Sequence, residues 1–314
     1  MKFATLRDGT PDGRLVLVSP DGTRCAAAPA ATMQELIERW DTLADICRAQ
    51  NEFPDTLDST MLAAPLPRAW QWLDGSAFES HGELMKQVFG NAPDHSDVPL
   101  MYQGMSDRFY GPHDDIPVPS EDLGIDFEGE FGVVVDAVPM GTSPEDALRH
   151  IRLIVQINDW SLRALAGPEM KTGFGWVQAK PACSMAPIAV TPDELGDQWR
   201  DGRVCLDLLV DWNGKRFGTP NGTSMSFGFH RLIAHAARTR ALPAGTIIGS
   251  GTVSNSNYRE IGSTCIAERR GIEIVDSGAP KTEFMRFGDT VRMEGRRADG
   301  SAPFGVIEQR VVRA

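Results

Sequence analysis

The sequence predicts an α+β fold that is mostly β, with a small N-terminal α/β domain ahead of a larger strand-rich domain. Strand patterns and one amphipathic helix open the chain, and a connector stiffened by two prolines follows at residues 63–69. Beyond it, short runs of β-branched and aromatic residues alternate with glycine and proline turns, as is typical of strands. We therefore expect a small domain over residues 1–70 and a larger one over residues 71–314.

The small domain begins with a predicted β-hairpin. Residues 2–6 and 14–18 have strand-like composition, and the Asp, Gly and Pro residues at 8–13 are typical of a turn. A helix is expected from Thr32 towards Cys47, because Thr is a favoured N-cap and apolar residues then recur at helical spacing. Strands followed by a helix make this a small α/β unit.

The larger domain is predicted to contain many strands and few helices. The strand candidates are residues 124–136, 152–159, 204–210, 246–248, 271–275, 290–293 and 303–312. Helices are expected at residues 144–151 and 227–238. A hairpin is predicted at Asp211-Trp-Asn213-Gly214-Lys-Arg216, because Asn-Gly favours the positive φ angles of a tight turn.

Composition and charge exclude several classes of function. The net charge of −12 and the pI near 5.0 argue against partners such as nucleic acids or anionic membranes, since both require a basic protein surface. No apolar run is long enough for a membrane span, and the N-terminus lacks the apolar core of a signal peptide, so a cytoplasmic protein is expected. The five widely spaced cysteines predict reduced thiols and neither disulfides nor a zinc site.

An acidic pattern in two strand candidates indicates a metal site. Glu128 and Glu130 alternate with apolar residues, so both carboxylates point to one face of an extended segment. A second apolar run ends in Asp159, which can supply a third oxygen ligand. Such carboxylates need a cation, and an all-oxygen set favours Mg²⁺, Ca²⁺ or Mn²⁺. A solvated acidic edge is the plain alternative, which Glu-x-Glu by itself more often indicates.

Five ordered blocks stand along the larger domain: Asp126-Phe-Glu-Gly-Glu130, Asn158-Asp-Trp-Ser-Leu-Arg163, Gln178-Ala-Lys180 with Met185-Ala-Pro187, Gly249-Ser-Gly-Thr252-Val-Ser254, and Phe287-Gly-Asp289-Thr-Val291. Together they resemble the fumarylacetoacetate hydrolase (fumarylacetoacetase) family in its bacterial two-domain form, and the resemblance covers nearly the whole chain. It implies a catalytic domain built on a fumarylacetoacetase-like β-roll with a mixed, curved sheet. It also implies a bound divalent ion, Mg²⁺ or Ca²⁺ with Mn²⁺ as a further choice, and a homodimer.

The resemblance also assigns metal ligands and a proton-transfer pair. Glu128, Glu130 and Asp159 match the family's metal ligands, and Asp74 matches a fourth carboxylate that precedes a catalytic histidine by seven residues, here His81. A late glutamate that orients this histidine matches Glu268. Related acylpyruvate hydrolases instead carry a glutamate three residues after the histidine, where this chain has Leu84. By itself, an isolated histidine is more often a surface residue.

The remaining implied residues would contact the substrate. Arg163 and Lys180 supply the cationic groups that an anionic diketo acid and its oxyanion require, although a buried, paired cation is the plainer reading of each. Tyr102, Gly251 and Thr252 resemble substrate contacts, although such turn residues are common without a function. The family also uses a glutamine seven residues after the third metal ligand. This chain has Ala166 there, which is its clearest departure from the family pattern.

The function implied is hydrolysis of a carbon–carbon bond in a 1,3-diketo acid, with fumarylacetoacetate as the leading substrate and the breakdown of tyrosine and other aromatic compounds as its context. An acylpyruvate or maleylpyruvate hydrolase, or a keto-acid decarboxylase or isomerase, is the alternative on the same metal site. A non-catalytic metal-binding protein with a decayed site is the alternative of another class, against which the retained carboxylates and His81 argue.

Overall fold

The computed structural model describes residues 1–89 and 97–314, and the mixed, strand-rich fold that the sequence predicts is confirmed. The strands are β1 (Lys2–Leu6), β2 (Arg14–Val18), β3 (Arg24–Ala27), β4 (Asp55–Thr56), β5 (Trp72–Ser76), β6 (Leu100–Gly104), β7 (Ile116–Val118), β8 (Ile125–Asp126), β9 (Gly129–Val135), β10 (Ile151–Asn158), β11 (Ser161–Leu162), β12 (Ser184–Met185), β13 (Ala189–Val190), β14 (Trp199–Arg200), β15 (Arg203–Val204), β16 (Asp207–Trp212), β17 (Lys215–Gly218), β18 (Thr246–Gly249), β19 (Thr290–Arg296) and β20 (Ile307–Arg313). The α-helices are α1 (Met33–Glu38), α2 (Trp40–Ala49), α3 (Glu79–Phe89), α4 (Pro144–Ala147), α5 (Arg163–Thr172), α6 (Pro192–Leu195), α7 (Phe229–Ala236), α8 (Tyr258–Ile261) and α9 (Ile266–Ser277).

Two mixed sheets form the framework. The larger sheet has the order β4-β3-β2-β1-β13-β10-β9-β18-β5-β6, with β12 paired to β10, and only its β18–β5 pair is parallel among the described strands. The second sheet has the order β17-β16-β19-β20-β7. Because β1 pairs with β13, the N-terminal strands extend the sheet of the larger domain. The domain boundary at residue 70 stays a prediction.

Most predicted elements are confirmed. The first hairpin pairs Lys2–Leu6 with Arg14–Val18, and the side chain of Thr32 caps α1 by accepting a hydrogen bond from the backbone N–H of Glu35 at 3.1 Å. Asn213 and Gly214 both adopt positive φ angles, 51° and 72°, in the turn between β16 and β17. The local signals for turns and caps therefore act as expected.

The strand predicted at residues 271–275 is wrong, because this segment lies inside helix α9. Its Ile-Glu-Ile-Val sequence favours strands locally, but both ends of the segment are fixed as a helix. The Asp126 carboxylate accepts hydrogen bonds from the backbone N–H groups of Ile266 and Ala267, and Gly278 ends the helix with a φ of 82°. The predicted helix at 144–151 is also shorter, since β10 already begins at Ile151.

The larger sheet is covered on both faces by apolar side chains. On one face, Leu36, Ile37 and Trp40 of the N-terminal helices pack with Val134 and Val155. On the opposite face, a second buried cluster joins the two sheets and α7, with members that include Phe131, Val133, Leu208, Met293 and Leu232. The core thus holds β9 and β10, the strands that lead into the acidic motif, rigidly in the centre of the molecule.

Glycines leave space for carboxylates on the face of the sheet that carries Val134. Gly132 of β9 lies opposite Gly249 of β18, and Gly249 lies opposite Asp74 of β5. A Cβ atom at Gly249 would lie 2.4 Å from Oδ1 of Asp74 and 2.2 Å from the Trp72 ring. Only glycine at this position lets the Asp74 carboxyl group lie flat on the sheet.

Two further sequence expectations concern cysteines and membranes. All five cysteines are free thiols, and four of them are buried. Within the described residues, no helix has both the length and the apolar character needed to cross a bilayer.

We predict that Gly249→Ala lowers the free energy of unfolding by about 2 kcal/mol or more, since the new methyl group overlaps the Asp74 carboxyl and the Trp72 ring. Urea denaturation followed by circular dichroism measures the change. Gly167→Ala is the matched control, because Gly167 lies in α5 with no atom within 4 Å of its added Cβ. The control is expected to leave stability unchanged or raise it. Equal stability of Gly249→Ala and wild type would contradict this packing.

Candidate metal centre

Three buried carboxyl groups from separate strands meet on the glycine-lined face of the larger sheet. Asp74 lies in β5, Glu130 lies in β9, and Asp159 directly follows β10. Each offers an oxygen that lies within 4.8 Å of an oxygen of the other two, and all three side chains are buried. The pairing of β9 with β10 and of β18 with β9 and β5 brings them together from positions far apart in sequence.

Asp74 and Glu130 have no ion pair with a described cation. No described N–H or O–H group donates to either carboxyl oxygen of Glu130, and Oδ1 of Asp74 accepts only the backbone N–H of Gly251 at 3.0 Å. Burial, together with the negative charges of Asp159 and Asp74, raises the pKa of Glu130 well above its usual range. Burial and the Asp159 charge likewise raise the pKa of Asp74.

Asp159 is held by three donors. The Tyr102 hydroxyl at 2.7 Å and the Lys180 ammonium at 2.6 Å both donate to Oδ2, and the Cys183 thiol donates to Oδ1 at 3.0 Å. Burial and the Asp159 charge raise the pKa values of both the Tyr102 phenol and the Cys183 thiol, so both groups stay protonated and can donate. The orientation of the Asp159 carboxylate is therefore fixed.

Glu128 lies beside this group of three and has cationic partners of its own. Its Oε1 accepts hydrogen bonds from the Lys180 ammonium at 2.9 Å, the Arg163 guanidinium at 2.6 Å and the Ser161 hydroxyl at 2.7 Å. Burial alone raises the pKa of Glu128, but the two cations outweigh it and hold the pKa below its usual range. Glu128 is therefore ionised, and its assignment as a metal ligand stays a prediction.

Arg163 ties the centre to helix α9. Its Nε donates to the Asp126 carboxylate at 2.8 Å and its Nη2 donates to Glu128. The same Asp126 carboxylate caps the N-terminus of α9, where it is also favoured by the helix dipole. Glu268 lies in the first turn of that helix. One ion-paired carboxylate thus fixes both the cationic side of the centre and the position of Glu268.

The predicted proton-transfer pair is brought together. Nδ1 of His81 in α3 lies 3.4 Å from Oε1 of Glu268, and this Glu268 side chain is fully buried while His81 is about one-fifth exposed. The Ser254 hydroxyl donates to the same Glu268 oxygen, and the Ser80 hydroxyl donates to Ser254 at 2.9 Å. A buried carboxylate with this support can orient an imidazole and stabilise its protonated form.

The predicted substrate contacts also touch these carboxylates. Besides the bonds of Tyr102 to Asp159 and of Gly251 to Asp74, the Thr252 hydroxyl donates to Oε2 of Glu128 at 2.7 Å. The tight backbone at Gly251, with a φ of 74°, brings its N–H group to Asp74. In this structure all three residues support the acidic side chains, and their role towards a substrate stays a prediction.

The donor set fits a hard divalent ion. Five buried carboxyl groups belong to the centre, whereas the cations in contact with them in the described part of the chain are Arg163 and Lys180. The unpartnered oxygens of Glu130 face Asp74 and Asp159, and oxygen ligands are those that Mg²⁺, Ca²⁺ and Mn²⁺ prefer. Two positive charges at this point would offset the burial and the repulsion that raise the pKa values of Asp74 and Glu130.

Sequence reasoning missed several residues of the centre. Cys183 is predicted only as a reduced thiol, and the motif blocks assign no role to Ser161 or Ser254. Their nearness to the motifs was the available signal, since Cys183 lies three residues after Lys180 and Ser254 lies two after Thr252. Their hydrogen-bond partners lie far away in sequence, so no local pattern reveals the contacts.

Comparison with known protein families gives two adjoining matches. Residues 71–312 match the model of the fumarylacetoacetate (FAA) hydrolase C-terminal region, and residues 1–68 match fumarylacetoacetase N-terminal domain 2. Among curated proteins, the 2,4-didehydro-3-deoxy-L-rhamnonate hydrolase of Sphingomonas sp. (strain SKA58) is 31% identical over 157 residues. That alignment covers 49% of this chain and 52% of the relative, so the chain spans about half the length of the curated relatives it matches.

Solved structures with the same fold align over the full chain. A fumarylacetoacetate hydrolase from Exiguobacterium antarcticum superposes with a TM-score of 0.70 at 18% identity, with 100% of each chain covered. The maleylpyruvate hydrolase from Sphingobium sp. SYK-6, solved in complex with manganese(II) ion and pyruvate, gives a TM-score of 0.66 at 17% identity, again with 100% of each chain covered. At these identities the likeness is one of fold.

We predict that Glu130→Gln leaves the ion-free protein as stable as wild type or more stable by about 1 kcal/mol at pH 8, because it removes a buried, unpartnered charge. The same variant should lose most of the gain in melting temperature that a divalent ion gives the wild type. Calorimetry with chelator and then with Mn²⁺ measures both. Glu294→Gln is the matched control, since Glu294 is also buried but paired with Arg292 and Arg296, and this change should destabilise the protein.

We also predict an opposite pH dependence for the ion-free and ion-loaded forms. The pKa values of Asp74 and Glu130 are raised on folding, so above about pH 4 the folded state binds protons that the unfolded chain has lost. The free energy of unfolding of the ion-free protein therefore falls as pH rises through the raised pKa values. Stabilisation by a divalent ion should grow over the same range, as measured by melting temperatures with and without Mn²⁺.

The Glu130→Gln variant serves as the control for this pH dependence. It should show a shallower fall in stability with pH than the wild type, because one of the two raised carboxyl groups is absent. An ion-induced gain in melting temperature that shrinks with rising pH would contradict the assignment.

Proposed function

The chain belongs to the fumarylacetoacetate hydrolase family, and from this premise we propose that it is a metal-dependent hydrolase that cleaves a carbon–carbon bond in a 1,3-diketo acid. We put fumarylacetoacetate first as the substrate, with fumarate and acetoacetate as products. The observation that carries the proposal is the group of three buried carboxylates, with the unpartnered Glu130 at its centre.

In this proposal Asp74, Glu128, Glu130 and Asp159 hold the divalent ion, which is Mg²⁺ or Ca²⁺ with Mn²⁺ as a further choice. A divalent ion held there would supply Lewis-acid stabilisation of the negative charge on which carbon–carbon cleavage depends. Glu128 would bind the ion as a carboxylate, and it already forms ion pairs with Lys180 and Arg163. All four carboxylates are buried, so their charges act in a low-dielectric environment.

His81 acts as the general base and Glu268 orients it. His81 removes a proton from water, the resulting hydroxide attacks the substrate carbonyl carbon, and the protonated imidazole then gives its proton to the departing carbon. Lys180 and Arg163 stabilise the negative charge that develops on the carbonyl oxygen. The 3.4 Å separation of His81 and Glu268 supports this pairing, since apo sites often hold such contacts long.

Tyr102, Gly251 and Thr252 complete the proposed substrate site. Each contacts a carboxylate of the centre, so each lies where a ligand of the ion would also lie. Ala166 stands where the family has glutamine, so this position offers no side-chain amide to stabilise the oxyanion. Lys180 is then the cationic donor nearest to the Asp159 carboxylate. A small anionic diketo acid suits this pair of buried cations.

The setting of the enzyme is part of the same proposal. We place it in the cytoplasm as a homodimer that acts on a small organic acid from the breakdown of tyrosine or a related aromatic compound. The net charge of −12 supports the exclusion of nucleic acids and anionic membranes as partners.

A second candidate is an acylpyruvate or maleylpyruvate hydrolase, or a keto-acid decarboxylase or isomerase, on the same metal site. Ala166 favours it, because loss of an oxyanion donor indicates a substrate with a different charge distribution. The solved maleylpyruvate hydrolase of the same fold supports the hydrolase form of this candidate.

A substrate screen separates the candidates. Protein loaded with Mg²⁺, Mn²⁺ or Ca²⁺ is assayed against fumarylacetoacetate, maleylpyruvate, saturated acylpyruvates, β-keto acids and dienoic acids, with loss of the enol absorbance as the readout. Highest kcat/KM for fumarylacetoacetate supports the first proposal. Turnover of none of these acids with any of the ions would refute both.

We predict that Asp159→Asn lowers kcat/KM by about a thousandfold and weakens ion binding measured by calorimetry, since it removes one of the three central carboxylates. Asp45→Asn, at a side chain that is 91% exposed, is the matched control and should behave as wild type. Full turnover by Asp159→Asn in chelator-treated buffer would contradict the metal role.

A further inference from the structure

We term residues 173–179, between helix α5 and Lys180, the strap. Several hydrogen bonds hold this segment in place. The Glu169 carboxylate of α5 accepts hydrogen bonds from the backbone N–H groups of Val177, Gln178 and Ala179 at 3.1, 2.8 and 3.0 Å. The indole N–H of Trp176 donates to the backbone carbonyl of Ala166 at 3.1 Å. The strap is therefore held in one conformation although much of its surface is exposed.

The anchored strap places Trp176 against Tyr102 on edge strand β6. The two ring centroids lie 4.8 Å apart with an interplanar angle of 83°, an edge-to-face arrangement that is favoured by the ring quadrupoles. We call these two residues the aromatic pair. Both line a cavity of about 560 Å³, and both are half-buried, so part of each ring remains accessible to a small molecule.

The aromatic pair also adjoins the charged centre. The Lys180 ammonium lies 5.5 Å from the Tyr102 ring centroid and 5.7 Å from that of Trp176, within the range of cation–π attraction. The Tyr102 hydroxyl and the Lys180 ammonium donate to the same oxygen of Asp159. The aromatic pair therefore lies between the cavity that it lines and the charged side chains that it contacts, Lys180 and Asp159.

We propose that Trp176, with Tyr102, selects substrates whose acyl portion is planar and unsaturated over saturated acids of the same length and charge. The proposal rests on the function proposed above and narrows its substrate class. A flat conjugated group makes face contact with an aromatic ring along its whole length, and it loses little conformational freedom on binding. A saturated chain has tetrahedral carbons that cannot lie flat against the ring, and its rotatable bonds lose conformational freedom on binding.

Neighbouring residues of the strap lack these contacts. Phe174 is 97% exposed and Val177 is 80% exposed. Of the two aromatic side chains in the strap, only Trp176 contacts Tyr102 and lies near Lys180. Val177 contributes only its backbone N–H to the anchoring of the strap. Changing the Val177 side chain therefore alters the strap without altering the aromatic pair.

Binding of fumarate and succinate to the Mn²⁺-loaded protein, measured by titration calorimetry, tests the proposal. The two dicarboxylates have the same length and charge but differ in planarity. We expect the wild type to bind fumarate about tenfold more tightly than succinate. In Trp176→Leu this ratio should fall to about one, chiefly through weaker fumarate binding.

Two further variants separate ring contact from anchoring of the strap. Trp176→Phe loses the hydrogen bond to Ala166 but keeps an aromatic face, so it should retain most of the fumarate preference. Val177→Ala is the matched control and should keep the wild-type ratio. Equal loss of fumarate and succinate binding in Trp176→Leu, a wild-type ratio near one, or no measurable binding of either acid would overturn the proposal.

The binding test is independent of turnover. Fumarate preference in a protein that hydrolyses no diketo acid would refute the proposed function and leave the role of Trp176 standing. Turnover of a diketo acid without any fumarate preference would refute the role of Trp176 alone.

Discussion

The structure depends on the burial of acidic side chains at one point of the larger sheet. Asp74, Asp126, Glu128, Glu130 and Asp159 are all buried, and burial of an ionised carboxylate costs several kcal/mol unless cations or hydrogen-bond donors offset it. Arg163 and Lys180 neutralise one side of this group. Asp74 and Glu130 remain on the other side, where burial and then the neighbouring negative charges raise their pKa values.

The surrounding fold offsets the free-energy cost of burying these carboxylates. Gly249 leaves space for the Asp74 carboxyl, and the apolar clusters on both faces keep β9 and β10 in register. Asp126 joins Arg163 to the N-terminus of α9, so one carboxylate serves both an ion pair and a helix cap. Sites that conflict with local stability in this way are typical of functional centres, because the strain is released when the ligand binds.

The position of α9 explains how a distant glutamate joins the centre. The segment has a strand-like sequence at residues 272–275, yet Asp126 and Gly278 fix it as a helix whose first turn presents Glu268 to His81. Ser254 and Ser80 then hold the Glu268 carboxylate from the other side. On the side of the centre near Lys180, the strap brings Trp176 into contact with Tyr102. Hydrogen bonds therefore hold the side of the centre that carries His81, whereas aromatic contacts surround Lys180.

Local sequence patterns predict the first hairpin, the Thr32 cap, the Asn213-Gly214 turn and most strands of the larger domain, and they single out Glu128, Glu130 and Asp159 as candidate metal ligands. These features follow from patterns within a few residues, where turn chemistry and side-chain alternation act directly. Tertiary structure alone decided that residues 271–275 are helical, that Cys183 donates to Asp159, and that Glu128 pairs with cations while Glu130 is left without a donor. Those outcomes depend on contacts between segments that are distant in sequence, and a one-residue shift in the register of β9 would point its carboxylates to the opposite face of the sheet.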